Sequence, residues 1–203
     1  MTNVKVDITM SLDGFIAGPN DRPGEGLGEG GERLHAWLHD LDSFHELHGR
    51  EGGEASPDSD VLREAMESVG AVVLGRRMFD NAEGWGDNPP FAMPVYVLTH
   101  EQREPLEKEG GTTFHFVNDG IESAVRQARA AAGDKDVHVG GGADTIQQAL
   151  RAGLVDEIHV HVAPMLLGRG VSLFGEGLVG VDLEPTRVLH SPAVTHLRYR
   201  VVA

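Results

Sequence analysis

The chain contains no cysteine. Disulfides, thiolate nucleophiles and cysteine-held metals are thereby excluded. Basic residues are also scarce: 17 Lys and Arg stand against 32 Asp and Glu, giving a formal net charge of −15. So acidic a surface repels nucleic acid and anionic membranes, and an anionic cofactor would need a local basic patch. No apolar run is long enough to span a bilayer. Met1-Thr2-Asn3-Val4-Lys5 carries no secretory apolar region, so a cytoplasmic protein is expected. What is present is ordinary: 203 residues, 40% hydrophobic and 24% charged. That suffices for one well-cored globular domain over 1–203.

The most informative stretch is Val137-His138-Val139-Gly140-Gly141-Gly142-Ala143-Asp144-Thr145. A short apolar run ends in three glycines, and Ile146, Ala149, Leu150 and Leu154 then recur at helical spacing. The pattern predicts strand, tight turn, helix. Glycine lets backbone approach a ligand because no Cβ intervenes. A helix start offers unpaired N–H groups and partial positive charge, which suit a phosphate. The turn is therefore a candidate diphosphate cradle, though a plain tight connection gives the same pattern. It matches neither G-x-G-x-x-G nor a Walker P-loop.

Taken in order, Val4 to Met10 alternates as a first strand. Residues 18–31 form a Gly-rich loop, either a lid over a site or a mobile insertion. Leu34, Trp37, Leu38, Leu41, Phe44 and Leu47 predict one helix over roughly 33–48. Asp58 or Ser59 can cap a second helix. Further strands are expected at 71–75, 94–98, 112–117 and 156–164, with a helix from Ile121 to Gly133. The segments 171–174, 179–189 and 194–202 read as strands without helices between them, the last two as a hairpin. Alternating strands and helices predict a three-layer αβα fold with a mainly parallel central sheet and antiparallel C-terminal strands.

Ligands of open α/β sheets sit beyond the carboxyl ends of the strands. Three such ends carry polar or glycine signals: Gly75-Arg76-Arg77, Thr99-His100 and the triple glycine. Paired guanidiniums suit a terminal phosphate such as the 2′-phosphate of NADP. The competing reading is ordinary arginines paired with Asp or Glu.

Taken together, Ser11-Leu12-Asp13-Gly14-Phe15-Ile16-Ala17, Gly75-Arg76-Arg77, Gly140-Gly141-Gly142 and Pro164-Met165-Leu166-Leu167-Gly168 resemble the dihydrofolate-reductase-like superfamily. The match is to the branch related to the reductase domain of the bifunctional riboflavin-biosynthesis deaminase/reductase. The resemblance implies NADPH as cofactor and hydride transfer to a small heterocycle or carbonyl. It implies that Thr9, Ile16 and Ala17 flank the nicotinamide and that Arg76 and Arg77, after Gly75, meet the phosphates. Leu98, Thr99 and His100 would follow the adenosine, and the turn from Gly140 through Gly141, Gly142, Ala143 and Asp144 to Thr145 would hold the diphosphate. Asp13 would lie near the reactive centre as the catalytic candidate. Relatives imply a homodimer.

Two departures shape the expectation. Leu34 stands where the folate enzyme carries an early acidic residue, which speaks against dihydrofolate as substrate. A fused deaminase would need zinc-binding cysteines, so a stand-alone reductase of unassigned substrate fits better. Asp13-Gly14 is also a common turn pair, the bland alternative to a proton role. Eleven histidines invite a metal reading. His159 and His161 share one strand face but lack an obvious third ligand, and no pair matches H-E-x-x-H, so no metal site is expected. The rival reading from another class is an NADP-binding module without turnover.

Overall fold

The computed structural model describes residues 2–175 and 178–202. Its framework is a nine-stranded sheet built around two apolar strands. They are β1 (Val4–Ser11) and β7 (Asp136–Gly141), which pair in parallel with Val6 opposite Val139. Beyond β7 follow β3 (Val69–Gly75), β4 (Pro94–Leu98) and β6 (Thr113–Val117), all parallel. Beyond β1 lie β8 (Glu157–Ala163), parallel, and then the antiparallel hairpin of β11 (Thr195–Val202) and β10 (Asp182–His190). The expected parallel centre with antiparallel C-terminal strands is what forms.

Both faces of the sheet are covered, so its central strands read as apolar runs. Alternate residues of β3 go to opposite sides: Ala71 and Val73 join one core, Val72 and Leu74 another. The first core packs against α4 (Ile121–Ala132) and α5 (Ala143–Arg151). Gly70 is needed where α4 docks, because a Cβ there would collide with the Ala132 carbonyl oxygen. The opposite face is covered by α3 (Arg76–Asn81), by α1 (Asp42–Leu47) with α2 (Pro57–Ser68), and by a 3-10 segment, Gly31–Leu38.

The structure departs from the sequence expectation in four places. The single helix over 33–48 is two pieces, broken at 39–41, where Leu41 bridges Glu54 and the Glu54 N–H donates to the Asp40 carbonyl. The cap of α2 is Ser56, whose Oγ accepts from the Ser59 N–H with Pro57 following. Asp58 is turned inward instead and bonds Ser191 and His196. The strand at 171–174 shortens to β9 (Val171–Ser172), which leaves the main sheet and pairs with β2 (Phe15–Ala17). A two-residue strand, β5 (Leu106–Glu107), adds an antiparallel edge that periodicity did not signal.

Candidate functional site

The carboxyl ends of β1, β3, β4 and β7 open onto one cavity of about 990 Å³. That is the upper end of the roughly 300–1,000 Å³ range of small-molecule sites. Every residue expected to touch a cofactor lines it: Thr9, Ile16 and Ala17 from the first unit, Gly75, Arg76 and Arg77, then Leu98, Thr99 and His100, and the whole turn from Gly140 to Thr145. One expected residue does not. Asp13 is absent from the lining, and both its carboxylate oxygens are committed elsewhere. They accept from Ser11 Oγ at 2.6 Å and from the N–H groups of Leu167 and Gly168 at 3.1 and 2.7 Å. The Ser11 hydroxyl, against partial burial and with the two amides, lowers its pKa. The expectation placed Asp13 near the reactive centre; in the structure β1 ends at Ser11, and Asp13 caps the 165–168 loop.

At the glycine end, β7 runs into α5 through a cis Gly141–Gly142 peptide, with Gly141 at φ 126°. Gly142 is the N-cap, and no side chain caps the helix. A Cβ on Gly142 would meet nothing within 4 Å, whereas one on Gly75 would come within 2.5 Å of Thr145 Oγ1. Gly75 therefore lets β3 close onto α5, and Gly142 leaves the helix start open to the cavity. The amides of Ala143, Asp144 and Thr145 precede the first bond of the helix, Ile146 N–H to the Gly142 carbonyl.

The two arginines are not free. Arg76 donates from Nε to Asp80 at 2.8 Å and from Nη1 to Glu101 at 2.6 Å. The Glu101 and Asp80 hydrogen bonds raise its pKa, against slight desolvation. Arg77 pairs with Asp21 of the Gly-rich loop, and Asn81 Nδ2 donates to the same carboxylate at 3.1 Å. That loop is internally bonded: Gly18 N–H donates to the Leu27 carbonyl at 2.8 Å and Glu29 N–H to that of Pro19 at 3.0 Å. Asp21, Gly26 and Leu27 place it along the cavity.

The other end of the cavity holds a group the sequence reading passed over. Asp7 of β1 and His161 of β8 both line the wall, joined Oδ1 to Nε2 at 2.9 Å. His159 approaches the second Asp7 oxygen at 3.4 Å. Burial opposes a charge on Asp7, but the facing His161 and the hydrogen bonds from both histidines hold its carboxyl well below the usual carboxylate range. Trp37 Nε1 donates to Thr9 Oγ1 at 3.4 Å beside them. Leu34, apolar and fully buried, supplies no charge beside them. His35 lines the cavity, its imidazolium pushed down by burial against the pull of Glu32. The signal for Asp7 was a lone carboxylate inside a strand with His159 and His161 at spacing two in another; nothing local joins those strands. Among the described residues, no group of three His, Asp or Glu could hold a metal ion.

A mainly parallel α/β sheet with a cavity at its strand ends and antiparallel C-terminal strands is a fold of the dihydrofolate-reductase-like class. Residues 2–197 match the model of the RibD C-terminal domain, and the chain belongs to that family. It is 28% identical over 145 residues to the uncharacterised protein YyaP of Bacillus subtilis (strain 168), covering 66% of this chain and 75% of that one. A crystal structure of a protein provisionally assigned to riboflavin biosynthesis in Shewanella sp. PV-4 aligns over all of both chains at TM-score 0.69 and 24% identity. RibD of Acinetobacter baumannii aligns over all of this chain and 59% of its own, at 0.63 and 16%. Dihydrofolate reductase of Enterococcus faecalis, complexed with NADP(H), aligns over 98% and 96%, at 0.55 and 14%. At such identities these structures speak to the fold.

Proposed function

We propose that the protein is an NADPH-dependent oxidoreductase that transfers hydride to a small heterocyclic or carbonyl substrate. The observation that carries this is the convergence of three sequence-distant strand ends and an uncapped helix start on one cavity. Membership of the RibD C-terminal domain family supports it.

The residues present fit the cofactor. The open face of Gly142 and the amides of Ala143 to Thr145 would hold a diphosphate, Arg76 or Arg77 a terminal phosphate, and Thr9, Ile16 and Ala17 the nicotinamide end. Bound there, the cofactor supplies the hydride. The chain's part is to orient the two reactants, which can contribute several kcal/mol, and to exclude water. Two guanidiniums face three carboxylates at the phosphate end, Asp21, Asp80 and Glu101. An arriving phosphate must therefore compete for its arginine.

The rival, an NADP-binding module without turnover, is favoured by Asp13 lying off the cavity and by the apolar Leu34. Calorimetric titration with NADPH and NADH, repeated on Arg76→Ala and Arg77→Ala, tests the cofactor site. NADPH preference lost in one of these variants supports it; no binding of either nucleotide overturns both readings. NADPH oxidation across carbonyls, imines and pterins separates the two: turnover favours the reductase, binding without oxidation the module. The exposed outer face of β10, with Val188 64% exposed, fits a homodimer; a monomer by sedimentation at micromolar concentration would remove it.

A further inference from the structure

Two buried imidazoles meet head on. His161 on β8 and His196 on β11 are register partners, 2.6 Å apart Nδ1 to Nδ1. Each is 6% exposed. Their other nitrogens end on carboxylates: His161 Nε2 on Asp7 at 2.9 Å and His196 Nε2 on Asp58 at 3.1 Å. An ionised carboxylate only accepts, so each Nε2 must carry a proton. The bond between the Nδ1 atoms needs one more. Three protons on two rings amount to a single positive charge that either ring can hold. Trp37 lies 5.2 Å from both rings, a position that favours a cation. Burial and the neighbouring His161 push the His196 imidazolium down, against Asp58, so the two rings do not charge together.

The pair also connects two spaces. With Asp7, His161 lines the large cavity. With His196 it lines a second cavity of about 20 Å³, room for one water, near Arg187 and Arg198. The other charged or titratable groups around the pair are engaged. His159 bonds Glu157 and lies near Asp7, His138 bonds the Asp7 carbonyl, Ser191 bonds Asp58, and both arginines pair with Glu64. His35 faces the large cavity from the 3-10 segment.

We propose that Asp7, His161 and His196 are the proton supply of the site, with Asp7 touching the substrate and the histidine pair behind it. This rests on the reductase reading. As hydride from a reduced nicotinamide reaches the carbon of a C=O or C=N bond, the π pair moves to the oxygen or nitrogen. That atom takes the His161 Nε2 proton, handed across the Asp7 carboxylate, which is ionised before and after the transfer. His161 takes at Nδ1 the proton shared with His196. An ionised Asp7 and a neutral pair remain, and one proton from solvent restores them.

The test has two arms. In ¹⁵N-histidine-labelled protein, the rings of His161 and His196 should show one shared, exchange-protected proton near neutral pH, lost in His196→Gln. Two neutral rings in fixed tautomers would overturn the proposal. In turnover of a panel substrate, Asp7→Asn should lower kcat about 100-fold and His196→Gln about tenfold, with NADPH affinity unchanged and the acid limb of the pH profile shifted. Wild-type kcat in Asp7→Asn would overturn the relay while leaving the reductase reading intact. Loss of NADPH binding or of all turnover in the wild type would fall on the reductase reading, and the imidazole spectrum would still decide whether the proton is shared.

Discussion

The two ends of the cavity are built differently. The glycine end is a local construction: six consecutive residues, Gly140 to Thr145, carry the strand end, the turn and the open helix start. The acid–imidazole end is assembled from four elements, with Asp7 on β1, His161 on β8, His196 on β11 and Asp58 on α2. The first needs small size and a fixed backbone. The second needs buried polar groups whose every bond is satisfied, because an unpaired one costs about 1–3 kcal/mol or more. Gly142 should therefore tolerate substitution in stability but not in binding, and the imidazole end should show the reverse.

The sharpest break of that contrast is Gly142→Asp. Its φ of −71° suits any residue and its Cβ meets open space, while Asp is a good N-cap. The melting temperature should hold or rise. NADPH affinity should fall about 100-fold, near 2.7 kcal/mol, because the carboxylate takes the phosphate's place. Equal affinity in a binding assay would contradict the cradle. At the other end, His196→Phe leaves Asp58 Oδ1 and His161 Nδ1 without partners inside the protein. Chemical denaturation should show a loss of about 3–5 kcal/mol, the usual penalty for breaking a buried charged pair. A loss confined to a few tenths would mean the chain of bonds is dispensable.

Asp7 sharpens the comparison through pH. Its folded pKa is depressed, so its contribution is complete above the unfolded value of about 4 and disappears as pH falls through the folded value. Stability against pH should therefore be flatter on the acid side in Asp7→Asn than in the wild type. Matching acid limbs would rule out that coupling. The smallest effects belong to the carboxylate beside Arg77 and to a loop off the cavity. Asp21→Asn takes the charge from the tie to the exposed Arg77 and should cost about 1 kcal/mol of stability, while NADPH binds a few-fold tighter once a competing carboxylate is gone. Asp13→Ala should loosen the 165–168 loop and leave NADPH affinity within about twofold, since nothing it holds borders the cavity.

Legibility in the sequence follows the same division. The sheet, the glycine turn and the strand ends that line the cavity could be read because each is a short-range pattern: alternation in β1, Gly140 to Gly142 before an amphipathic helix, Gly75 before paired arginines. The break at 39–41 was hidden because Leu38 and Leu41 keep helical spacing across it, and a bridge from Glu54 decides otherwise. Asp13 was read from its place after β1, and the 165–168 loop that takes its oxygens lies too far along the chain to be read with it. Asp7, His161, His196 and Asp58 stayed invisible as a set, since only the packing of α2 on β11 brings 58 and 196 together. The arginines were read by type, and their carboxylate partners were supplied by Asp21, Asp80 and Glu101 from other turns of the chain.

The central claim is that the glycine turn and the open start of α5 hold a dinucleotide diphosphate. Side-by-side calorimetric titration of NADPH into wild type and Gly142→Asp tests it most directly. The account predicts saturable binding to the wild type and about 100-fold weaker binding to a variant that melts no earlier. Equal affinities, or no binding to the wild type, would contradict it.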